Sequence, residues 1–201
     1  MIKIHNVKAI ITMPLVILGV TLLTTGACLG SASRTSSLDE VARELKTPKA
    51  LEKFMRNNFT YVEDRFLLDV DEYWQGAQEM LVRRQGDCED YAVFTKAILE
   101  RMGYRVFLLS LYSGADAHTV TVFEKNGRVG VFDLDKLLTP RSDSLGRIAS
   151  EVNSRWDSLG IMRQSGNIGL ISRKFLKKSF RNISLMSVFE YLTRSTLRPV
   201  L

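Results

Sequence analysis

The chain has 201 residues, of which 28 are lysine or arginine and 22 are aspartate or glutamate, and its formal net charge is +6. The two cysteines and the 45% of hydrophobic residues exclude a disulfide-rich scaffold and a disordered chain. After the first 33 residues about 170 remain, which is enough for one domain with a substantial core and too few for two.

The first 33 residues have the composition of an export signal. Two lysines precede an apolar run over residues 9–23, small residues follow, and the segment contains no acidic residue. We expect cleavage at the Gly-Ser-Ala site of residues 30–32. Lipid attachment at Cys28, which ends a degenerate lipobox, and an uncleaved anchor are the alternatives. In each case the folded part is expected to lie outside the cytoplasm, and a structural disulfide between Cys28 and Cys88 is not expected.

Helices are predicted in the first part of the exported chain. Residues 38–58 place apolar side chains on one helical face, and Pro48 is expected to break this helix. Residues 72–84 predict a second helix, or a turn followed by a helix, which leads to Cys88.

The helix that follows is the clearest element of the sequence. Asp87 is a suitable N-cap with Asp90 three residues later, and Gly103 supplies the C-terminal stop, so Cys88 falls in the first turn. A helix N-terminus lowers the pKa of a thiol, because its free N–H groups and positive dipole end stabilise the thiolate. The carboxylates of Asp87, Glu89 and Asp90 oppose this effect, and a protonated histidine or a bound cation would resolve the conflict.

Strands are predicted after this helix. Residues 104–112 predict a buried strand, residues 118–123 a second strand, and Asn126-Gly127 a hairpin turn into a partner strand over residues 128–135. In a hairpin with a two-residue turn, His118 faces Asp135 and both Asp133 and Asp135 share its face.

The C-terminal segment, residues 141–201, is basic and predicted to be helical. It contains 11 basic and 4 acidic residues, whereas residues 33–140 contain 15 basic and 18 acidic residues. Apolar residues at helical spacing from Ile148 to Leu159 predict one helix, and residues 185–197 predict another. No nucleic-acid-binding motif accompanies the charge, so we expect a solvated surface or contact with an acidic partner or membrane rather than with nucleic acid.

Three motifs occur in a specific order along the core. The first is Gly-Asp-Cys-Glu-Asp-Tyr-Ala at 86–92, the second is Ala-His-Thr-Val at 117–120, and the third is Val-Phe-Asp at 131–133. A Tyr-Trp pair at 73–74 and Glu79 precede them. Together these motifs resemble the transglutaminase-like cysteine peptidase superfamily, and its bacterial transglutaminase-like cysteine proteinases most closely.

The resemblance implies an α+β fold with a papain-like core, in which the nucleophile helix packs on an antiparallel sheet. It also implies a catalytic triad in which Cys88 is the nucleophile, His118 the base and Asp133 the group that orients the imidazole. Asp135 is the alternative orienting acid, since Leu-Asp-Lys-Leu at 134–137 also matches an ending of the bacterial branch. On this basis residues 34–140 form the catalytic core, and the helical C-terminal extension packs on or next to it.

The resemblance suggests roles for residues around the triad as well. Relatives in the bacterial branch bind calcium near the cysteine, and Asp87, Glu89 and Asp90 match their acidic cluster. The alternative is that these carboxylates cap the helix and carry solvated charge, because no EF-hand-like ligand series is present. In that case no cofactor is required. Trp74 is expected either in the core or as a cleft wall or second oxyanion donor.

We therefore predict a cysteine peptidase that hydrolyses a protein of the cell envelope, because characterised relatives clip surface adhesins in the periplasm. Acyl transfer to an amine by the same triad is the alternative within catalysis. A non-catalytic envelope-binding module is the alternative outside it. Besides the protein substrate, the expected partner is the membrane, through lipidation or the basic C-terminal segment, and the oligomeric state is left open.

Overall fold

The computed structural model describes residues 37–162, 168–172 and 183–195. The predicted export signal, with Cys28 and the cleavage site at 30–32, lies outside the described residues. The elements follow one another in this order: α1 Leu38–Leu45, α2 Pro48–Asn58, β1 Thr60–Tyr61, α3 Asp64–Leu67, α4 Ala77–Arg83, β2 Gln85–Gly86, α5 Cys88–Arg101, β3 Arg105–Ser113, β4 Asp116–Lys125, β5 Arg128–Asp133, β6 Lys136–Leu138, α6 Leu145–Val152, β7 Ser158–Met162, β8 Ile168–Ser172 and α7 Leu185–Ser195.

The strands form two sheets. The larger is antiparallel with the strand order β6-β5-β4-β3-β7-β8, and β1 pairs with β2 in a separate parallel pair. Helices pack on both faces of the larger sheet, so the predicted α+β class is confirmed. No helix in the described ranges combines the length and apolar character needed to cross a membrane.

The break at Pro48 is confirmed. Helix α1 ends where Lys46 adopts a left-handed conformation with φ 56°, and α2 begins with Pro48 in its first turn. Thr47 caps α2 by accepting a hydrogen bond from the N–H of Ala50 at 3.1 Å. Proline is tolerated at this position because the first helical N–H groups have no intrahelical partner.

Helix α5 lies on one face of the larger sheet. It begins at Cys88 after the N-cap Asp87 and ends before Gly103, whose φ of +79° suits glycine, as predicted. Its buried side chains pack with α1, α2 and α4 and with residues of the sheet, in a cluster that includes Tyr91, Phe94, Ile98, Leu99, Phe123 and Phe132. The hydroxyl of Thr121 in β4 donates to the carbonyl of Ala92 at 3.0 Å and ties the helix to the sheet.

The β4–β5 hairpin has the predicted register, but β5 is shorter than predicted. Asn126 and Gly127 form the turn with positive φ values of 55° and 77°, and Thr121 pairs with Phe132. The strand ends at Asp133 because the next two residues, beginning with Leu134 at φ 53°, turn the chain into β6. The prediction that the strand continues to Asp135 is therefore wrong.

The segment after Pro140 is not purely helical. Helix α6 ends at Val152, so the predicted single helix up to Leu159 is wrong, and Leu159 lies in β7. Strands β7 and β8 extend the same sheet, with β7 paired to β3. On the sheet face opposite α5, a second core cluster joins β3 and β4 to this segment through residues that include Leu109, Val120, Ile148, Trp156 and Phe189.

Candidate active site

Cys88 lies at the junction between the two-stranded sheet and helix α5. Strand β2 delivers the chain to Asp87, and Cys88 is the first helical residue, as predicted. Gly86 is needed at this approach, because a Cβ atom there would collide with the carboxylate of Asp90. The thiol of Cys88 is free and partly exposed.

The Cys88 sulfur contacts two groups. Its thiol donates a hydrogen bond to Oε2 of Glu89 at 3.1 Å, and the backbone N–H of Thr119 donates to the sulfur. Burial raises the pKa of the Cys88 thiol, and the Glu89 carboxylate raises it further, while the Thr119 N–H lowers it. Burial and the neighbouring carboxylate therefore raise the pKa of the Cys88 thiol, although Cys88 is the first residue of the helix.

His118 and Asp133 form a close pair on the sheet. Nε2 of His118 lies 2.8 Å from Oδ1 of Asp133, and the two side chains are 30% and 27% exposed. His118 lies on β4 beyond the last residue that pairs with β5, and Asp133 is the final residue of β5. Their contact is therefore diagonal across the open end of the hairpin. Thr119, whose backbone N–H contacts the Cys88 sulfur, is the residue that follows His118 in β4. The imidazole and the backbone contact to Cys88 therefore come from adjacent residues.

Asp135, the alternative orienting acid, lies in a different environment. It follows the end of β5 in the turn to β6, and Oδ2 of Asp135 lies 3.7 Å from Nε of Arg56. Arg56 also pairs with the buried Glu52 at 3.2 Å, and Glu52 accepts the N–H of Leu137 at 3.2 Å. Asp135 therefore belongs to the contact between α2 and β6, whereas Asp133 is the aspartate that meets the histidine.

The acidic residues around Cys88 form a partly buried cluster. Carboxylate oxygens of Asp64, Asp87 and Asp90 lie within 4.8 Å of one another, and Asp87 and Glu89 form a second such group with the Cys88 sulfur. Burial raises the pKa of Asp87 and raises that of Glu89 to about 9, with the neighbouring carboxyl group contributing to the second shift. One oxygen each of Asp64, Asp87 and Glu89 is buried without a hydrogen-bond partner.

Asp64 is a member of this cluster that the sequence analysis missed. It is 2% exposed at the start of α3, and its other oxygen accepts the N–H of Tyr73. Asp64 precedes Asp87 by more than twenty positions, and no motif links the two. The pairing of β1 with β2 brings the two segments together.

Asp90 is held by Gln75, a second residue that the sequence did not indicate. The Gln75 backbone N–H donates to Oδ1 of Asp90 at 2.7 Å, and its side-chain amide donates to Oδ2 at 2.5 Å. The N–H of Asp87 also donates to Oδ2, at 3.2 Å, as expected for the helix cap. Burial nevertheless raises the pKa of Asp90 to about 6, because these hydrogen bonds offset the desolvation only in part.

Aromatic residues border the site on the segment before α4. Trp74 is partly exposed, and its indole N–H donates to Oε1 of Glu72 at 2.9 Å, so this donor is engaged within its own loop. Tyr61 in β1 is 49% exposed. Burial raises the pKa of Tyr61 to about 12, and negative charge at Cys88 and Asp87 adds to the shift, which marks it as a neighbour of the cysteine.

The profile of the transglutaminase-like domain family matches residues 33–150. No curated protein sequence matches the chain.

Several solved structures are similar in fold. Calcium-bound LapG of Legionella pneumophila is 20% identical, with a TM-score of 0.44 over 79% of this chain and 85% of that chain. EGTA-treated LapG of the same organism is 19% identical, with a TM-score of 0.42 over 77% and 84% of the chains. A candidate cysteine protease from Cytophaga hutchinsonii is 17% identical, with a TM-score of 0.41 over 69% of this chain and 49% of that chain.

The family profile spans the two-stranded sheet, helix α5 and strands β3 to β6, and so includes every residue of the candidate site. This agrees with the enzyme class predicted from the motifs, a transglutaminase-like cysteine protease. Because the profile covers more than half of its length, the chain belongs to the transglutaminase-like domain family.

Proposed function

We propose that the protein is a cysteine peptidase that cleaves a protein of the cell envelope through Cys88, His118 and Asp133. The observation that carries the proposal is the His118–Asp133 hydrogen bond at 2.8 Å, on a strand whose next residue contacts the sulfur of a helix-borne cysteine. A nucleophile, a base and a group that orients the base are the parts that acyl-transfer chemistry requires.

The chemistry follows from the atoms available. Asp133 engages Nε2 of His118, which leaves Nδ1 to take the thiol proton of Cys88. The thiolate then attacks the substrate carbonyl carbon, and the backbone N–H of Cys88 at the helix start is a donor for the resulting oxyanion. The imidazolium protonates the leaving amine, and the neutral imidazole next activates the water that hydrolyses the thioester.

The thiol must leave Glu89 before this sequence begins. The Cys88–Glu89 hydrogen bond and the burial of both groups favour the protonated, unreactive thiol. A group that binds the Glu89 carboxylate in place of the thiol would therefore favour the thiolate form of Cys88.

We propose calcium as the group that occupies it. Calcium takes carboxylate oxygens as ligands, and Asp64, Asp87 and Glu89 each offer a buried oxygen without a hydrogen-bond partner. These residues, with Asp90, would hold the ion, which would supply positive charge beside the sulfur and offset the carboxylate repulsion. This set adds Asp64 to the residues predicted from the sequence. Asp90 contributes least, because Gln75 already occupies both of its oxygens.

The envelope location is proposed from the predicted export signal of residues 1–33. A protein substrate agrees with the exposed aromatic side chains near the site, such as Tyr61 and Tyr73. Acyl transfer to an amine needs the same three residues. An experiment must therefore decide whether water or an amine accepts the acyl group.

The test is hydrolysis of a proteome-derived peptide library by the purified chain with calcium, with new termini identified by mass spectrometry. We expect peptides cut by the wild-type protein and left intact by Cys88→Ala, with Ser113→Ala, which removes a hydroxyl away from the sulfur, as active as wild type. Added primary amines should not enter the products. Cleavage by Cys88→Ala would refute the mechanism, and amine-linked products would favour the transferase.

A further inference from the structure

A cavity of about 700 Å³ lies away from the candidate triad, between the tip of the β4–β5 hairpin and the start of α2. Strand β4 carries His118 near its start and Lys125 at its end. Seven residues of extended strand span about 23 Å, so the cavity is at the far end of the hairpin from the histidine. Its volume is in the range of pockets that bind small molecules or several side chains of a partner.

The charged groups of the cavity are all cationic. Lys49, Lys125 and Arg128 line it, and among the described lining residues none is acidic. The start of α2 also faces the cavity through Thr47 and Pro48, and a helix N-terminus favours anions. The lining residues come from the segment 33–140, which contains more acidic than basic residues, so the cationic lining does not reflect the composition of that segment.

Two of these cations are directly opposite each other. Lys125 and Arg128 form the cross-strand pair that closes the hairpin, and like charges in such a pair destabilise it. Lys125 is held over the ring of Tyr104 at 4.8 Å and donates to the carbonyl of Met102 at 2.8 Å. Arg128 is exposed, and no described side chain pairs with it. An anion between the two side chains would relieve the repulsion.

The floor of the cavity is aromatic. The ring of Phe123 covers Gly130 so closely that a Cβ atom there would collide with it. Tyr104 packs edge-to-face on Phe123 with the ring centroids 5.4 Å apart. A ligand for this cavity therefore needs negative groups for the rim and an apolar or aromatic group for the floor.

We infer that this cavity, the basic hairpin pocket, is a docking site for an acidic segment of the protein substrate that carries an aromatic or apolar residue. An extended peptide chain presents carboxylates and an aromatic ring together and reaches both ends of the hairpin. A concave pocket with an aromatic floor also suits a peptide better than a flat membrane surface. The inference rests on the proposed function for the identity of the occupant, but the binding itself requires no cleavage.

The test is fluorescence polarisation with a fluorescein-labelled hexapeptide that contains four Asp or Glu residues, one Tyr and one Leu. All proteins carry Cys88→Ala, so that binding is measured without turnover. Arg128→Glu should weaken binding about fivefold to tenfold, because it replaces an attraction by a repulsion at an exposed position. Arg128→Gln should give an intermediate loss. Lys53→Glu is the matched control, since it makes the same change of net charge at an exposed position on α2 that does not line the cavity, and it should bind as tightly as the parent.

Three results would overturn the inference. The first is an equal loss of affinity for Lys53→Glu and Arg128→Glu, which would mean that binding depends on the net charge of the protein and not on the pocket. The second is equal affinity for the peptide with Asn and Gln in place of its acids. The third is an Arg128-dependent affinity for phosphatidylglycerol vesicles without affinity for the peptide, which would assign the pocket to lipid headgroups. Failure of the library cleavage described above would leave these measurements unaffected.

Discussion

Replacing Asp133 by Asn, with Asp135→Asn as its matched control, tests the role of the His118–Asp133 pair. The amide keeps the shape of the side chain and removes the charge that accepts from Nε2 of His118 at 2.8 Å. A hydrogen bond to a charged partner contributes about 1.5–3 kcal/mol, and the pair is less than one third exposed, so screening is moderate. If that contribution is lost in the transition state, kcat/KM falls roughly 10- to 150-fold.

The control removes the same charge two residues away. Asp135 pairs with Arg56 at 3.7 Å, and an ion pair of this length and exposure contributes about 0–1 kcal/mol to stability. We expect Asp135→Asn to change kcat/KM by less than about twofold. The assay is hydrolysis of a library peptide at several concentrations below KM, with thermal melts to verify folding. A larger loss for Asp135→Asn than for Asp133→Asn would refute the assignment of the orienting acid.

Three further predictions concern the acidic cluster. Calcium should raise the Tm of the wild-type chain relative to EGTA, and Asp64→Asn should abolish most of the rise; an unchanged rise would exclude Asp64 as a ligand. In EGTA the Tm should increase as the pH falls from 8 to 5.5. Burial raises the pKa of Asp90 to about 6 and that of Glu89 to about 9. The folded state therefore takes up protons at a higher pH than the unfolded state does, and protonation stabilises it. Glu89→Gln should flatten this profile, and a Tm that falls with pH would contradict it. Gln75→Ala should lower the free energy of unfolding in urea by about 1–3 kcal/mol, because the buried Asp90 carboxylate loses the hydrogen bond from the Gln75 side-chain amide. A change below about 0.5 kcal/mol would show that water replaces this donor.

Local signals in the sequence were sufficient for helix α5 and the hairpin. Asp87, Asp90 and Gly103 are strong capping residues, and Asn126-Gly127 adopts the two positive φ values that a tight hairpin turn requires. The register was therefore predictable, and with it the shared face of His118 and Asp133.

Other features depended on contacts that no local signal carries. The turn after Asp133 uses Leu134 at φ 53°, a conformation that leucine rarely adopts, so the end of β5 was not predictable. Asp64 and Gln75 reach the site through the folded chain: no motif surrounds Asp64, and the Tyr-Trp pair that precedes Gln75 does not indicate its contact with Asp90. Strand β7 was missed because the apolar residues of α6 and β7 happen to continue one helical spacing through Trp156 to Leu159.

The most direct test of the central claim is a comparison of protein N-termini in the envelope and secreted fractions of two strains, one with the wild-type chain and one with Cys88→Ala. Chemical labelling of free N-termini followed by mass spectrometry would report each cut. The proposed function predicts at least one internal terminus that is present with the wild-type chain and absent with Cys88→Ala, in a protein that becomes shorter. Identical termini in both strains, with both forms of the chain expressed and folded, would contradict the assignment of Cys88 as the nucleophile of an envelope peptidase.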